Sequence, residues 1–231
     1  MSAATAAGVL LIAMPLAFNV TFGMLASRFD YPDVLRLPTA EVLSRFRDGG
    51  RGLILLWWAF ALTAVLFAPL VVVLAGALEG SDRTLLAVST AIGVLAALVQ
   101  FLGLIRWPFL VPYLAEADAD PGANPARREA IDLVFQSFNR YLGVAVGEHL
   151  GYALTGLWTL LTGAAMLGSS ALADALGVAG LLIGPVFLVC ALEFVGRGAD
   201  ERGWKPAERL TPITYVAWSV WLAATGVALL V

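Results

Sequence analysis

The chain holds one cysteine, one histidine and few charges, and each scarcity removes a class of chemistry. The lone Cys190 excludes an intramolecular disulfide and, inside an apolar stretch, reads as helix packing rather than a reactive thiol. The lone His149 leaves a b-type haem without a second strong axial ligand. With Glu148 and Glu193 it makes three donors for a catalytic zinc, but without the HExxH-like spacing such a site uses. No glycine-rich phosphate loop follows a strand, and the basic residues are dispersed, so neither nucleotide nor nucleic-acid binding is expected. No cofactor or metal is expected either.

What is abundant is apolar: 60% of the 231 residues against 13% charged, with a mean hydropathy of +0.87, outside the range of soluble domains. A membrane span takes roughly 20 residues plus a turn, so this length accommodates about six spans and no separate soluble domain. Apolar segments fall at residues 6–26, 52–78, 84–105, 142–167, 172–195 and 210–231. They must be helices, because a lipid-exposed backbone has no water to satisfy its N–H and C=O groups. A transmembrane barrel needs alternating segments of ~10 residues, whereas residues 53–78 are continuously apolar. The expected fold is an all-α, polytopic, six-helix transmembrane bundle, one domain over residues 1–231.

Orientation follows from the flanks. Arg28, Arg36, Arg45, Arg47 and Arg51 precede the second span, Arg106, Arg127, Arg128 and Arg140 the fourth, and Arg197, Arg202, Lys205 and Arg209 the sixth. The intervening turns at residues 79–83 and 168–171 and the two chain ends carry only Arg83, so the positive-inside rule puts both termini outside and the three basic connections in the cytoplasm. The first span lacks a basic n-region and is followed by Arg28 and Arg36, which marks a retained anchor rather than a cleaved signal.

In the first basic connection, Thr39 is positioned to cap a short interfacial helix over residues 41–48, with Val42, Leu43 and Phe46 on one side and Arg45 and Arg47 free for lipid headgroups. In the second, residues 118–125 form a turn, and Arg106, Trp107, Pro108 and Pro112 make a stiff exit from the third span. Trp57, Trp58, Trp107 and Trp204 read as interface anchors. Thr214, Trp218, Trp221 and Thr225 share a face of the sixth span. With Trp158 they would line an apolar ligand site or fill the bundle core.

Two features of the spans carry the functional argument. In the fourth, Gly143, Gly147, Gly151, Thr155, Thr159 and Gly163 recur every fourth residue, a groove that lets another helix approach closely, whether within the bundle or in a homo-oligomer. The second feature is polar. An isolated charge at mid-bilayer costs at least ~2.5 kcal/mol. Asn19, Thr21, Gln100, Glu148, His149 and Glu193 all fall in the cytoplasmic half by the topology above, and Asn139 stands at the cytoplasmic start of the fourth span. One polar pocket open to the cytoplasm is therefore expected, with Arg106 at its rim as partner to Glu148 or Glu193. Glu148 reads either as a proton or cation acceptor or as a satisfied contact that orders the bundle. His149, about 100° away around the helix, cannot point straight at the same ligand.

The strings RWPFLVPYLA after the third span, FNRYLGVAVGEHLGYALTGLWT through the fourth and YVAWSVWLAATG in the sixth resemble a family of bacterial multi-spanning membrane proteins known as domain of unknown function 4386. The resemblance implies a bacterial inner-membrane location and a single helical domain, with Arg106, Pro108, Asn139, Glu148 and Gly151 in a shared core. It brings no catalytic residues. The expected role is to bind or move a small or lipid-like molecule through the cytoplasm-facing pocket. One alternative is a non-catalytic subunit holding a protein partner through its basic connections and glycine groove, at positions such as Phe46 or Trp204. Another is an intramembrane enzyme using Glu148, His149 and Arg106, which requires the three within mutual hydrogen-bonding reach.

Overall fold

A computed structural model describes residues 2–78, 80–170, 172–196 and 203–231. Arg197 and Arg202 of the third basic connection, and the turn residues Glu79 and Ala171, lie outside the described residues. All regular structure among those described is helical: α1 (Ala3–Phe29), a 3₁₀ turn (Asp33–Arg36), α2 (Thr39–Ala77), α3 (Arg83–Ala119), α4 (Pro125–Phe138), a π-helical stretch (Asn139–Leu150), α5 (Gly151–Leu167), α6 (Asp174–Cys190) and α7 (Lys205–Leu230). Five continuous helical segments are long and apolar enough to cross a membrane, and α6 is a shorter apolar helix of 17 residues.

The helices run past the boundaries that the apolar segments suggest. In α2 the expected short helix and the second span are one element broken at Gly50, whose φ of 55° and ψ of −155° are open to glycine without strain. Its first arm does not lie on a bilayer by its apolar side. Val42, Leu43 and Phe46 are buried in a cluster with Leu25, Phe29, Trp107 and Leu114, because the folded chain offers them an apolar wall before lipid does. Nor does Thr39 cap it. Pro38 holds the cap position, while the Thr39 hydroxyl donates to the Asp132 carboxylate and accepts from Gln136 Nε2 at 2.9 Å, tying α2 to α4.

Helix α3 continues through Arg106, Pro108 and Pro112 to Ala119 instead of making a stiff exit at 105. A proline frees a carbonyl one turn back, which spanning helices tolerate where other groups satisfy the backbone nearby. The Arg106 guanidinium donates to the Gly103 carbonyl in the turn just before the two prolines. The fourth span is part of a continuous 43-residue segment, Pro125–Leu167. Its central stretch is wound as a π-helix, where Gly143 and Gly147 weaken the preference for α geometry. Helix α6 stops at Cys190, short of residue 195, and the chain turns through Gly196 at a φ of 73°.

Helices α1, α2, α3, α5, α6 and α7 pack in chain order, and α7 returns to α1 to close a ring. The three basic connections meet at one end of it: Arg36 reaches Glu208 at 3.0 Å, Thr39 reaches Asp132, and Arg47 donates to the Ala115 carbonyl at 3.2 Å. At the other end the Ser81 hydroxyl donates to the Ala165 carbonyl at 2.7 Å. The exposed ion pairs contribute only ~0–1 kcal/mol each, so the ring is held by packing. Its seams are glycine contacts: a Cβ on Gly8 would sit 2.9 Å from the Gly226 carbonyl oxygen, and one on Gly156 would sit 2.6 Å from that of Gly184.

Two aromatic clusters fill the interior. In one, Phe67 stands edge-on to Trp158 at 4.8 Å and to Trp218 at 5.5 Å, so Trp158, Trp218 and Trp221 are core residues. In the other, Trp57 and Trp107 stack at 4.3 Å with 0% and 1% exposure. They are not interface anchors, whereas Trp58 and Trp204 remain exposed at 46% and 40%. The indole N–H groups of Trp57 and Trp107 are buried without a partner among the described residues, whereas that of Trp218 donates to Thr159 Oγ1 at 2.9 Å. Trp218→Phe is therefore expected to cost about 1 kcal/mol more than Trp57→Phe, since both lose similar volume and only the former gives up a hydrogen bond. Unfolding of the two variants in mixed micelles measures the difference.

Candidate functional site

Glu148 sits in the π-helical stretch, partly buried, on the inner side of the ring. It lies close enough to Arg106 of α3, Tyr31 after α1, Tyr152 of α5 and Tyr215 of α7 to interact electrostatically with all four. Among the described residues its carboxylate accepts no hydrogen bond and makes no ion pair within 4.0 Å, and the hydroxyls of Tyr31, Tyr152 and Tyr215 have no hydrogen-bond partner either. None of these oxygens is fully shielded from solvent. Four polar groups from four parts of the chain thus converge without satisfying one another. Partly buried and unpaired, these groups leave their hydrogen-bonding capacity open to water or to a bound molecule.

The walls around them are aromatic. Phe18 stacks on Tyr215 at 5.5 Å, Tyr152 meets Tyr215 edge-on at 5.6 Å, and Tyr31 meets Trp57 edge-on at 4.9 Å. Phe22 and Phe60 link the two groups, at 6.0 Å from Tyr31 and 5.2 Å from Phe18 respectively. Burial pushes the Tyr31 hydroxyl's pKa up, the negative charge of Glu148 adds to this, and Arg106 opposes both. The tyrosine therefore stays a neutral donor at physiological pH.

Arg106 is not at a rim and is not the ion-pair partner of Glu148 or Glu193. Only 8% exposed, it donates to the Gly103 carbonyl and, at 2.8 Å, to Asn139 Oδ1, with its guanidinium 5.4 Å from the Trp107 ring centroid. Asn139 thus joins the site through Arg106. Glu193, in the turn after α6, accepts from Thr211 Oγ1 at 3.4 Å and interacts with Glu148 only at longer range.

The other residues expected in the pocket are engaged elsewhere. Asn19 donates to the Pro15 carbonyl at 2.7 Å and to Ser219 Oγ at 3.0 Å, joining α1 to α7 on the exposed side. Gln100 donates to Thr155 Oγ1 at 3.1 Å on the α3–α5 seam, and Thr21 hydrogen-bonds within its own helix. His149 Nδ1 lies 2.6 Å from the Ala191 carbonyl, which requires Nδ1 to carry the proton, and so pins the π stretch to the end of α6. Glu148, His149 and Arg106 share no hydrogen bond, so the arrangement an intramembrane enzyme would need is not formed among these three.

The small-residue stripe of the fourth span splits among three neighbours, α3, α6 and α7. Gly147 lies against Gly103 of α3, where an added Cβ would come within 3.0 Å of its Cα, while Gly143 backs the Arg106 head and Gly151 backs Gln100. Thr155 and Thr159 serve Gln100 and Trp218, and Gly163 faces the Gly177 carbonyl of α6. The seam is occupied inside the ring. Phe46, considered above as a docking position, is 2% exposed.

Helices of this length and apolarity, closed around buried polar groups, define a multi-pass membrane protein. A family model described as domain of unknown function (DUF4386) matches residues 6–226, and the chain belongs to that family. No curated protein and no solved structure matches it.

Proposed function

We propose that the protein spans the inner membrane of a bacterium six times, with both termini outside and its basic connections in the cytoplasm, and that it binds or moves a small or lipid-like molecule through an interior polar site open toward the cytoplasm. The observation that carries this reading is the convergence of Glu148 with the hydroxyls of Tyr31, Tyr152 and Tyr215, none of them hydrogen-bonded to another. Polar contacts that order the bundle close on themselves, as Ser89 does with Thr162 and Trp218 with Thr159, and these four groups do not.

The orientation draws support from the meeting of the three basic connections at one end of the ring. The sixth span is α6, about 26 Å long at 1.5 Å per residue, lengthened toward the ~30 Å of hydrocarbon by the turns that follow it. Vesicles of known sidedness test both halves of the proposal. In a Cys190→Ala background, Asp118→Cys is expected to react with a membrane-impermeant maleimide only when the cytoplasmic face is outward, and Tyr215→Cys to react with a small charged thiol reagent from that same face. Labelling of Asp118→Cys from the opposite face overturns the orientation. Failure of Tyr215→Cys to react from either face overturns the open site.

A further inference from the structure

The ligand class follows from the electrostatics of the groups that converge. Resting on the binding reading above, we propose that Glu148, with Tyr31, Tyr152 and Tyr215 around it, is a site for an organic cation, an amine or quaternary ammonium group.

Three observations lead there. The carboxylate of Glu148 has no hydrogen-bonding or ion-pairing partner among the described residues, although it stands inside the ring. Arg106, the neighbouring cation, is already committed: two of its donors go to Gly103 and Asn139 and its face lies over Trp107, so it is held for structure and not free to neutralise Glu148 directly. The remaining wall is aromatic, with Phe18, Tyr152 and Tyr215 in mutual contact on one side and Tyr31 against Trp57 on the other. Aromatic faces carry the negative part of a ring quadrupole and attract a cation lying within about 6 Å.

The alternatives meet a worse environment. An anion would be drawn by Arg106, but that guanidinium is already engaged with Gly103, Asn139 and Trp107, and the anion would also meet the unpaired Glu148 carboxylate with Glu193 beyond it. A neutral polar molecule could use the three hydroxyls but would leave the carboxylate desolvated and unpaired, which is costly in a membrane interior. A soft cation with an apolar body satisfies both the charge and the rings, and its apolar part is compatible with the Phe18 side of the wall.

The test uses the full chain purified in detergent and two ions of the same size and shape but opposite charge, tetraphenylphosphonium and tetraphenylborate, with tetraethylammonium as a smaller cation. Saturable binding of at least one cation is expected, with tetraphenylborate binding weaker. Glu148→Gln should weaken the cation about tenfold or more, whereas Asp174→Asn, an exposed carboxylate at the start of α6, should leave it unchanged. Cation binding that survives Glu148→Gln undiminished, or tetraphenylborate binding as tightly as its partner, overturns the cation assignment. If that binding is nevertheless lost in Tyr215→Ala, the interior site stands and only its charge preference falls. Absence of saturable binding by all three ions overturns the cation assignment, and the binding reading then rests on the Tyr215→Cys accessibility result alone. Should Glu148→Gln fail to fold, the comparison of the two matched ions on the unaltered protein still decides the charge preference.

Discussion

Arg106→Met is expected to lower the stability of the purified protein by about 3–5 kcal/mol, the range for removing a buried charged group whose partners are left behind. The Gly103 carbonyl and Asn139 Oδ1 lose their donor, the Trp107 face loses its cation, and Glu148 loses the positive charge that offsets it. Arg106→Lys should recover little, because a single ammonium cannot reproduce a planar fork directed at two acceptors. The informative variant is the double one. If Glu148 is charged and compensated by Arg106, adding Glu148→Gln to Arg106→Met should restore part of the loss, so that the two changes together cost less than their sum. Denaturation in mixed micelles measures each corner of this cycle. Simple additivity would mean that the two groups are energetically independent.

Gly156→Ala should cost about 1–3 kcal/mol, as overpacking of a closed contact does. The new methyl would stand 2.6 Å from the Gly184 carbonyl oxygen and 2.7 Å from Phe187 Cβ, and backbone cannot yield there without parting α5 from α6. Gly184→Ala meets the mirror situation, 2.6 Å from the Gly156 carbonyl oxygen, and the pair should be less than additive once the helices have separated. Gly23→Ala is the control: nothing lies within 4 Å of its added carbon, and the same unfolding experiment should detect no loss. Equal destabilisation at Gly23 and Gly156 would mean that helix contact is not what the α5 glycine serves.

Much of the fold is legible in the sequence because spanning helices obey a one-dimensional rule, an apolar run of sufficient length. The boundaries escape that rule. Pro108 and Pro112 look like an ending to any local reading, yet α3 runs through both to Ala119, with Trp107, Val111, Leu114 and Ala115 packed in the interior cluster. The break at Gly50 likewise lies inside what hydropathy separates into a loop and a span. At the site, Glu148 stands out as a costly carboxylate in an apolar context, and the stretch that carries it is where the helix changes winding. The tyrosines escape for a different reason. An aromatic residue in a membrane chain is by default packing or an interface anchor, and Tyr31 and Tyr215 are brought to the carboxylate only by the closure of the ring. A usable signal was the presence of Tyr152 four residues beyond Glu148, one turn along the same helix. Asn19 and Gln100 mislead for the converse reason: depth in the membrane is shared by every face of a helix, and depth alone does not say which way a side chain points.

The return of α7 to α1 through Gly226 and Gly8 also orders events at the ribosome. Tyr31 and Glu148 emerge first, and the helix that bears Tyr215 is translated after both, so the polar cluster is complete only once α7 has closed the ring against α1.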